Sequence, residues 1–161
     1  SVDYMISLLG AQNQKEVSFY QMESGSSVLE EQSNIPRKAV TLSMRTLDDV
    51  LLEKKIKDIS FLKMDVQGYE IEVLKGAMNT LKKVEVVLME VSFVQYNKKA
   101  PLFHEIVQFM YDNDFLVYDI CSLMRHPKTN ILIQADIIFV KQDSQLRPYF
   151  FEYDVKPFHF S

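Results

Sequence analysis

Phe61-Leu62-Lys63-Met64-Asp65-Val66-Gln67-Gly68-Tyr69-Glu70-Ile71-Glu72-Val73-Leu74-Lys75-Gly76-Ala77 changes periodicity halfway along. From Ile59 to Asp65 the run is mostly apolar and ends in a carboxylate, which reads as a strand. Gly68 permits a tight turn and close approach of a ligand to the backbone. Beyond it Ile71, Leu74, Met78 and Leu81 recur at helical spacing, which predicts one helix closed by Lys82-Lys83, where cations complement the C-terminal end. Val84-Glu85-Val86-Val87-Leu88-Met89-Glu90-Val91 is a nearly continuous apolar run, as in a strand covered on both faces. Strand, helix and strand within residues 59–91 make a βαβ unit with parallel strands and a right-handed crossover. Asp65 and Glu90 then stand at carboxyl ends of strands, where ligands collect in open parallel sheets. On neighbouring strands their backbones would lie roughly 5 Å apart. Two such carboxylates can bind hydroxyls, hold a cation, or raise one pKa for general-base work. A plainer reading stays open, in which Asp65 and Glu70 cap the helix and Glu90 faces solvent.

Upstream, Val2–Leu9 and Val17–Met22 read as strands, separated by a loop containing Gly10 and Ala11. Residues 23–38 form a long polar loop opening on Glu23-Ser24-Gly25-Ser26-Ser27, able to hydrogen-bond a ligand or to serve as a plain turn. Ala39–Met44 is a short strand. Thr46 caps a helix over 47–55, with Asp49 at the third helical position. Downstream, Pro101 leads into a helix over 102–112 with Leu102, Ile106, Phe109 and Met110 apolar, stopped by Asn113-Asp114. Phe115–Ile120 is a strand, and Ile131–Ile133 with Asp136–Val140 form a bent or hairpin-paired last strand. Five aromatics, Phe150, Phe151, Tyr153, Phe158 and Phe160, crowd the C-terminal tail and are expected to pack on something.

Composition narrows the function classes. The 161 residues are 47% apolar and 25% charged, which excludes disorder, collagen and coiled coil and suits one compact domain. A net charge of −4 provides no basic footprint for nucleic acid. No apolar run approaches a membrane span, and no signal peptide is expected. One cysteine, Cys121, allows no internal disulfide and no Cys-rich zinc site, so a reducing, cytoplasmic setting is expected, with Cys121 as a small buried residue. His104, His126 and His159 match no metal spacing, so no metal site is expected; His104 is expected to face solvent. No serine elbow supports a hydrolase triad. The four glycines, at 10, 25, 68 and 76, form neither GxGxxG nor GxxxxGK.

The 61–77 stretch closely resembles the signature of the FkbM family of S-adenosylmethionine-dependent methyltransferases, a strand like L-K-I-D-V-Q-G followed by a helix like E-x-x-V-L-K-G-A. Thr46-Leu47-Asp48-Asp49, Ser24-Gly25-Ser26-Ser27, Leu88-Met89-Glu90-Val91 and Gln134–Val140 are similar to other family elements in the same order, so the resemblance covers about residues 8–141. It implies an α/β, class I methyltransferase-like Rossmann sheet, mostly parallel with a final antiparallel strand and with the N-terminal strands missing. It implies a partial methyltransferase domain over 1–145 and an aromatic tail over 146–161. It implies S-adenosylmethionine as cofactor, although the family's glycine-rich first motif, like D-V-G-A-N-x-G, is not in this sequence. By that resemblance Asp65 acts as general base or hydroxyl orienter, and Glu90 contacts acceptor or cofactor. Gly10 and Ala11, Ser26 and Ser27, and Gln67 and Gly68 border the cofactor.

The activity so implied is O-methylation of a hydroxyl on a sugar or other small metabolite. The alternative is a truncated, non-catalytic module with a binding or structural role. Residues 1–161 alone are expected to show no measurable binding of S-adenosylhomocysteine. An exposed sheet edge left by absent strands is expected to self-associate or to be covered by the aromatic tail.

Overall fold

The computed structural model describes residues 4–21, 26–29, 37–95 and 97–147. The aromatic tail beyond 147 and Gly25 of the serine loop lie outside the described residues. Among those described, the chain is α/β, with two mixed sheets and four short helices.

The first sheet has the order β1 (Leu8–Leu9), β3 (Lys38–Arg45), β2 (Gln14–Gln21). β2 and β3 form an antiparallel ribbon, and β1 adds to β3 in parallel with Leu8 beside Met44. Of the expected first strand, Val2–Leu9, the described part from residue 4 onward is paired at Leu8 and Leu9 alone. Helix α1 (Leu47–Glu53) follows, with the Thr46 hydroxyl accepting the Asp49 N–H at 3.2 Å, as the sequence pattern predicts. Asn13 completes this cap: it accepts the Thr46 N–H and donates to Asp49.

The second sheet has the order β4 (Phe61–Met64), β5 (Val86–Ser92), β7 (Leu132–Lys141), β6 (Phe115–Arg125). β4 and β5 are parallel, as the βαβ reading requires. β7 runs antiparallel to both of its neighbours, so it is the one reversed strand of the four, and it is hairpin-paired with β6. The expected single helix after Gly68 is broken into α2 (Glu70–Lys75) and α3 (Met78–Leu81). The break has a physical cause. The Gly76 carbonyl accepts the Asp48 N–H, and a Cβ on Gly76 would stand 2.1 Å from the Gly10 carbonyl oxygen. The glycine therefore lets two backbones touch. Helix α4 (Phe103–Asp112) ends where Asn113 donates its side chain to the Phe109 carbonyl.

Val73, Leu74, Leu81, Ile106 and Met110 from the helices pack with Val87, Met89, Val91, Ile137 and Phe139 from the sheet to form the core. β5 is buried at alternate positions and half-buried between them. This corrects the expectation of equal cover on both faces: the helices bury one face, and Leu88 and Glu90 lie on the other, half-covered one. β6 is an edge strand that is exposed along most of its length. Cys121 sits on it and is exposed, which corrects the expectation of a buried thiol. His104 is exposed on α4, as expected.

Candidate functional site

Register builds the site. Met64 pairs with Met89, so Asp65 and Glu90 follow side by side at the carboxyl ends of β4 and β5. In the turn after β4 the backbone takes two successive positive φ angles, 51° at Gln67 and 91° at Gly68. Gly68 is required twice over, because a Cβ there would also lie 2.7 Å from that of Ala100. This turn throws the Gln67 side chain back over the strand ends. Its Nε2 donates to Asp65 Oδ1 at 2.7 Å and to Glu90 Oε2 at 3.3 Å. Gln134 of β7 donates to the same Glu90 oxygen at 2.8 Å.

A second contact set reaches the turn from far along the chain. Ser27 Oγ donates to the Gln67 carbonyl at 3.0 Å and accepts the Leu29 N–H at 3.1 Å. Asn97 Nδ2 donates to the same Gln67 carbonyl at 2.7 Å. Ser27 and Asn97 are both buried.

The electrostatics are acidic. Glu90 is pushed above the ordinary carboxylate range, first by burial and then by Asp65 and by Asp136, its partner across β5 and β7; the Gln67 amide and Lys63 pull it back. Glu70, in the first turn of α2, is only 4% exposed and accepts the Gly68 N–H at 2.9 Å. Burial pushes its carboxyl up, two backbone N–H donors oppose this, and Glu90 and Asp65 add to the rise. It is therefore a buried acid rather than a simple exposed cap. Such a crest can orient a hydroxyl, take its proton and attract positive charge. No group of three or more His, Cys, Asp or Glu among the described residues is arranged to hold a metal ion.

The expected site residues divide into two places. Asp65, Glu90, Gln67, Gly68 and Ser27 meet at the crest; Ser26 adjoins Ser27 and is half-buried. Gly10 and Ala11 stand elsewhere. Gly10 is buried between Met44 and Gly76, at the far end of α2 from Gly68. The hydroxyl of Ser27 binds the protein's own backbone, which a serine-rich sequence alone does not reveal. Asn97 and Gln134 escaped the sequence reading. Gln134 had one available signal, its place two residues before Asp136 on a strand expected to pair. Asn97 lies in a loop with no pattern. A groove of about 340 Å³ lies between α1 and α3, lined by Asp48, Leu52, Ile56, Ile59, Thr80 and Lys83, apart from the crest.

Comparison with known proteins agrees with the family-like stretch. A family model described as methyltransferase FkbM domain matches residues 5–117, well over half of the chain. Hexuronic acid methyltransferase AglP of Haloferax volcanii is 28% identical over 86 residues, covering 49% of this chain and 36% of that protein. The chain thus spans little more than a third of that relative's length. No solved structure matches it.

Proposed function

The chain belongs to the methyltransferase FkbM domain family, and from that premise we propose that it carries the acceptor side of an S-adenosylmethionine-dependent O-methyltransferase acting on a sugar hydroxyl. The observation that carries the reading is the Asp65–Gln67–Glu90 arrangement at the strand ends. The strand order β4-β5-β7-β6, with β7 alone reversed, supports reading the second sheet as part of a class I methyltransferase sheet. The name of the Haloferax relative supports a hexuronic acid as the acceptor class.

An acidic crest fits a cationic methyl donor and a neutral hydroxyl acceptor, because opposite charge attracts the first and carboxylate oxygens accept from the second. S-adenosylmethionine, when bound, supplies an electrophilic methyl group. The chain's own residues do the rest. Asp65 accepts the hydrogen bond of the acceptor hydroxyl and takes its proton as the oxygen becomes nucleophilic. Gln67 holds Asp65 Oδ1 and leaves the second carboxylate oxygen for the acceptor. Glu90, on the half-covered face, contacts the acceptor. Methyl transfer is an in-line displacement, so fixing these groups is most of the work asked of the protein.

The test uses the longest reading frame that encodes this chain. Transfer of labelled methyl from S-adenosylmethionine to a glucuronic acid glycoside is the expected activity. Asp65→Asn is expected to lower kcat by about 100-fold or more, the usual scale of a lost general base. Undiminished turnover in Asp65→Asn would overturn the assignment. Absence of transfer to any hydroxyl acceptor would favour the non-catalytic reading.

A further inference from the structure

We propose that Ser27 and Asn97 are positioning residues, which hold the backbone of Gln67 in its turn so that its side-chain amide joins Asp65 and Glu90 into one fixed site. The inference rests on the crest being the reacting site. Its test, however, reads the carboxylates directly and does not depend on turnover.

The argument begins with the backbone. Gln67 has φ 51°, a left-handed conformation that a residue with a Cβ adopts at a cost. Such a conformation persists where surrounding contacts over-determine it. Here two buried side chains, from loops before and after the turn, both donate to the Gln67 carbonyl, at 3.0 and 2.7 Å. Together they fix the direction of the peptide that follows Gln67, and with it the start of the Gln67 side chain. The far end of that side chain lies on Asp65 and Glu90. One residue is therefore gripped at both ends, by neutral donors on its backbone and by carboxylates on its amide. Ser27 is tied in turn to the ribbon: its N–H donates to the Tyr20 carbonyl and its carbonyl accepts the Tyr20 N–H. The first sheet is thereby coupled to the site on the second.

Two roles are possible for such donors. They can satisfy a carbonyl and stabilise the fold, or they can also aim the amide. The readout that separates these is the titration of Glu90, which Gln67 touches and Ser27 and Asn97 do not. Glu90 is faced by Asp65 and Lys63 from the β4 side, by Asp136 from β7 and by Glu70 from α2. None of these groups changes in the variants below.

The experiment follows the Glu90 carboxyl carbon by NMR through a pH titration of the whole chain. Gln67→Met removes the amide that lowers the Glu90 midpoint and sets the reference shift, expected upward. Ser27→Ala and Asn97→Ala are each expected to move the Glu90 midpoint in the same direction, and Ser27→Thr, which keeps the hydroxyl, is expected to restore it. Alanine variants that melt earlier yet titrate like the wild type would overturn the proposal. A measurement on the unaltered chain does not require the variants to fold. The Gln67 side-chain amide should be about as ordered as rigid backbone, with an order parameter of about 0.85, and a value below about 0.6 would overturn the proposal. Failure of methyl transfer with these results intact would count against the function alone.

Discussion

Glu70 shows how much a single side chain's surroundings matter. Its place in the first turn of α2 was plain from sequence, but its burial and its nearness to Asp65 and Glu90 were not. Burial follows from the turn at Gln67 and Gly68, which folds the chain tightly over Glu70. With burial as the first cause, Glu70 holds its proton more tightly in the folded state than at its ordinary value of 4.5. The sign then follows. Between pH 4.5 and the higher folded value the native state binds more protons than the unfolded chain, so stability falls as pH rises through that window. Glu70→Gln keeps an oxygen to accept the Gly68 N–H and removes the buried charge. It is expected to be more stable than the wild type at pH 7, with the advantage shrinking as pH falls toward 4. Urea unfolding of both proteins at pH 7 and pH 4.5 checks this, and an identical pH dependence in the two would refute it. The same scale marks the limit of sequence reading. Asp65 and Glu90 were legible because each stands as a carboxylate at or near the end of an apolar run. Asn97 was not, since its importance depends on a carbonyl 30 residues away.

At the scale of elements, Thr46-Leu47-Asp48-Asp49 does more than start one helix. Thr46 caps α1 through Asp49, as its spacing foretold. Asp48 caps a different helix: it accepts from the N–H groups of Asn79 and Thr80 at 2.9 Å and from the Thr80 hydroxyl at 2.6 Å. Helix α3 has no side-chain cap of its own, and Thr80 is buried. Thr46→Ala is expected to cost about 1 kcal/mol, the usual value of an N-cap. Asp48→Ala should cost more, about 2–3 kcal/mol, because it strips partners from the N–H and hydroxyl of buried Thr80 as well as from the exposed Asn79 N–H. Denaturant midpoints for the two variants decide the order, and equal losses would contradict it. Periodicity predicted a continuous helix here because Met78 and Leu81 keep the helical spacing. The break comes from a tertiary approach, Gly10 against Gly76, that no local pattern encodes.

At the scale of the molecule, the helices lie on one face of the second sheet, and β4 and β6 form its edges. Apolar runs predicted the strands of this sheet, and the strand–helix–strand order predicted the parallel β4–β5 pair. They did not predict the half-covered face, since β5 is apolar at consecutive positions on both sides. Phe61 on β4 is 53% exposed, beside the unpaired edge of the described sheet. Exposed apolar edge strands invite pairing with a second copy. The chain is expected to associate reversibly with rising concentration, and Phe61→Lys to shift it toward monomer. Sedimentation velocity across a hundredfold concentration range tests this; a monomer throughout would refute it.

The Gln67 carbonyl accepts from a residue 40 positions earlier and from another 30 positions later. Both of those loops must close before the grip exists, and closing them costs chain entropy. The grip is therefore expected to form only once both Ser27 and Asn97 have docked on the turn. Strand pairing and the helix-covered core can form around a β4–α2 turn that is still free, and the two carboxylates come under a shared, fixed amide once Ser27 and Asn97 hold its backbone. Run backwards, loss of either contact is expected to loosen the Gln67 turn while leaving the β4–β5 pairing in place.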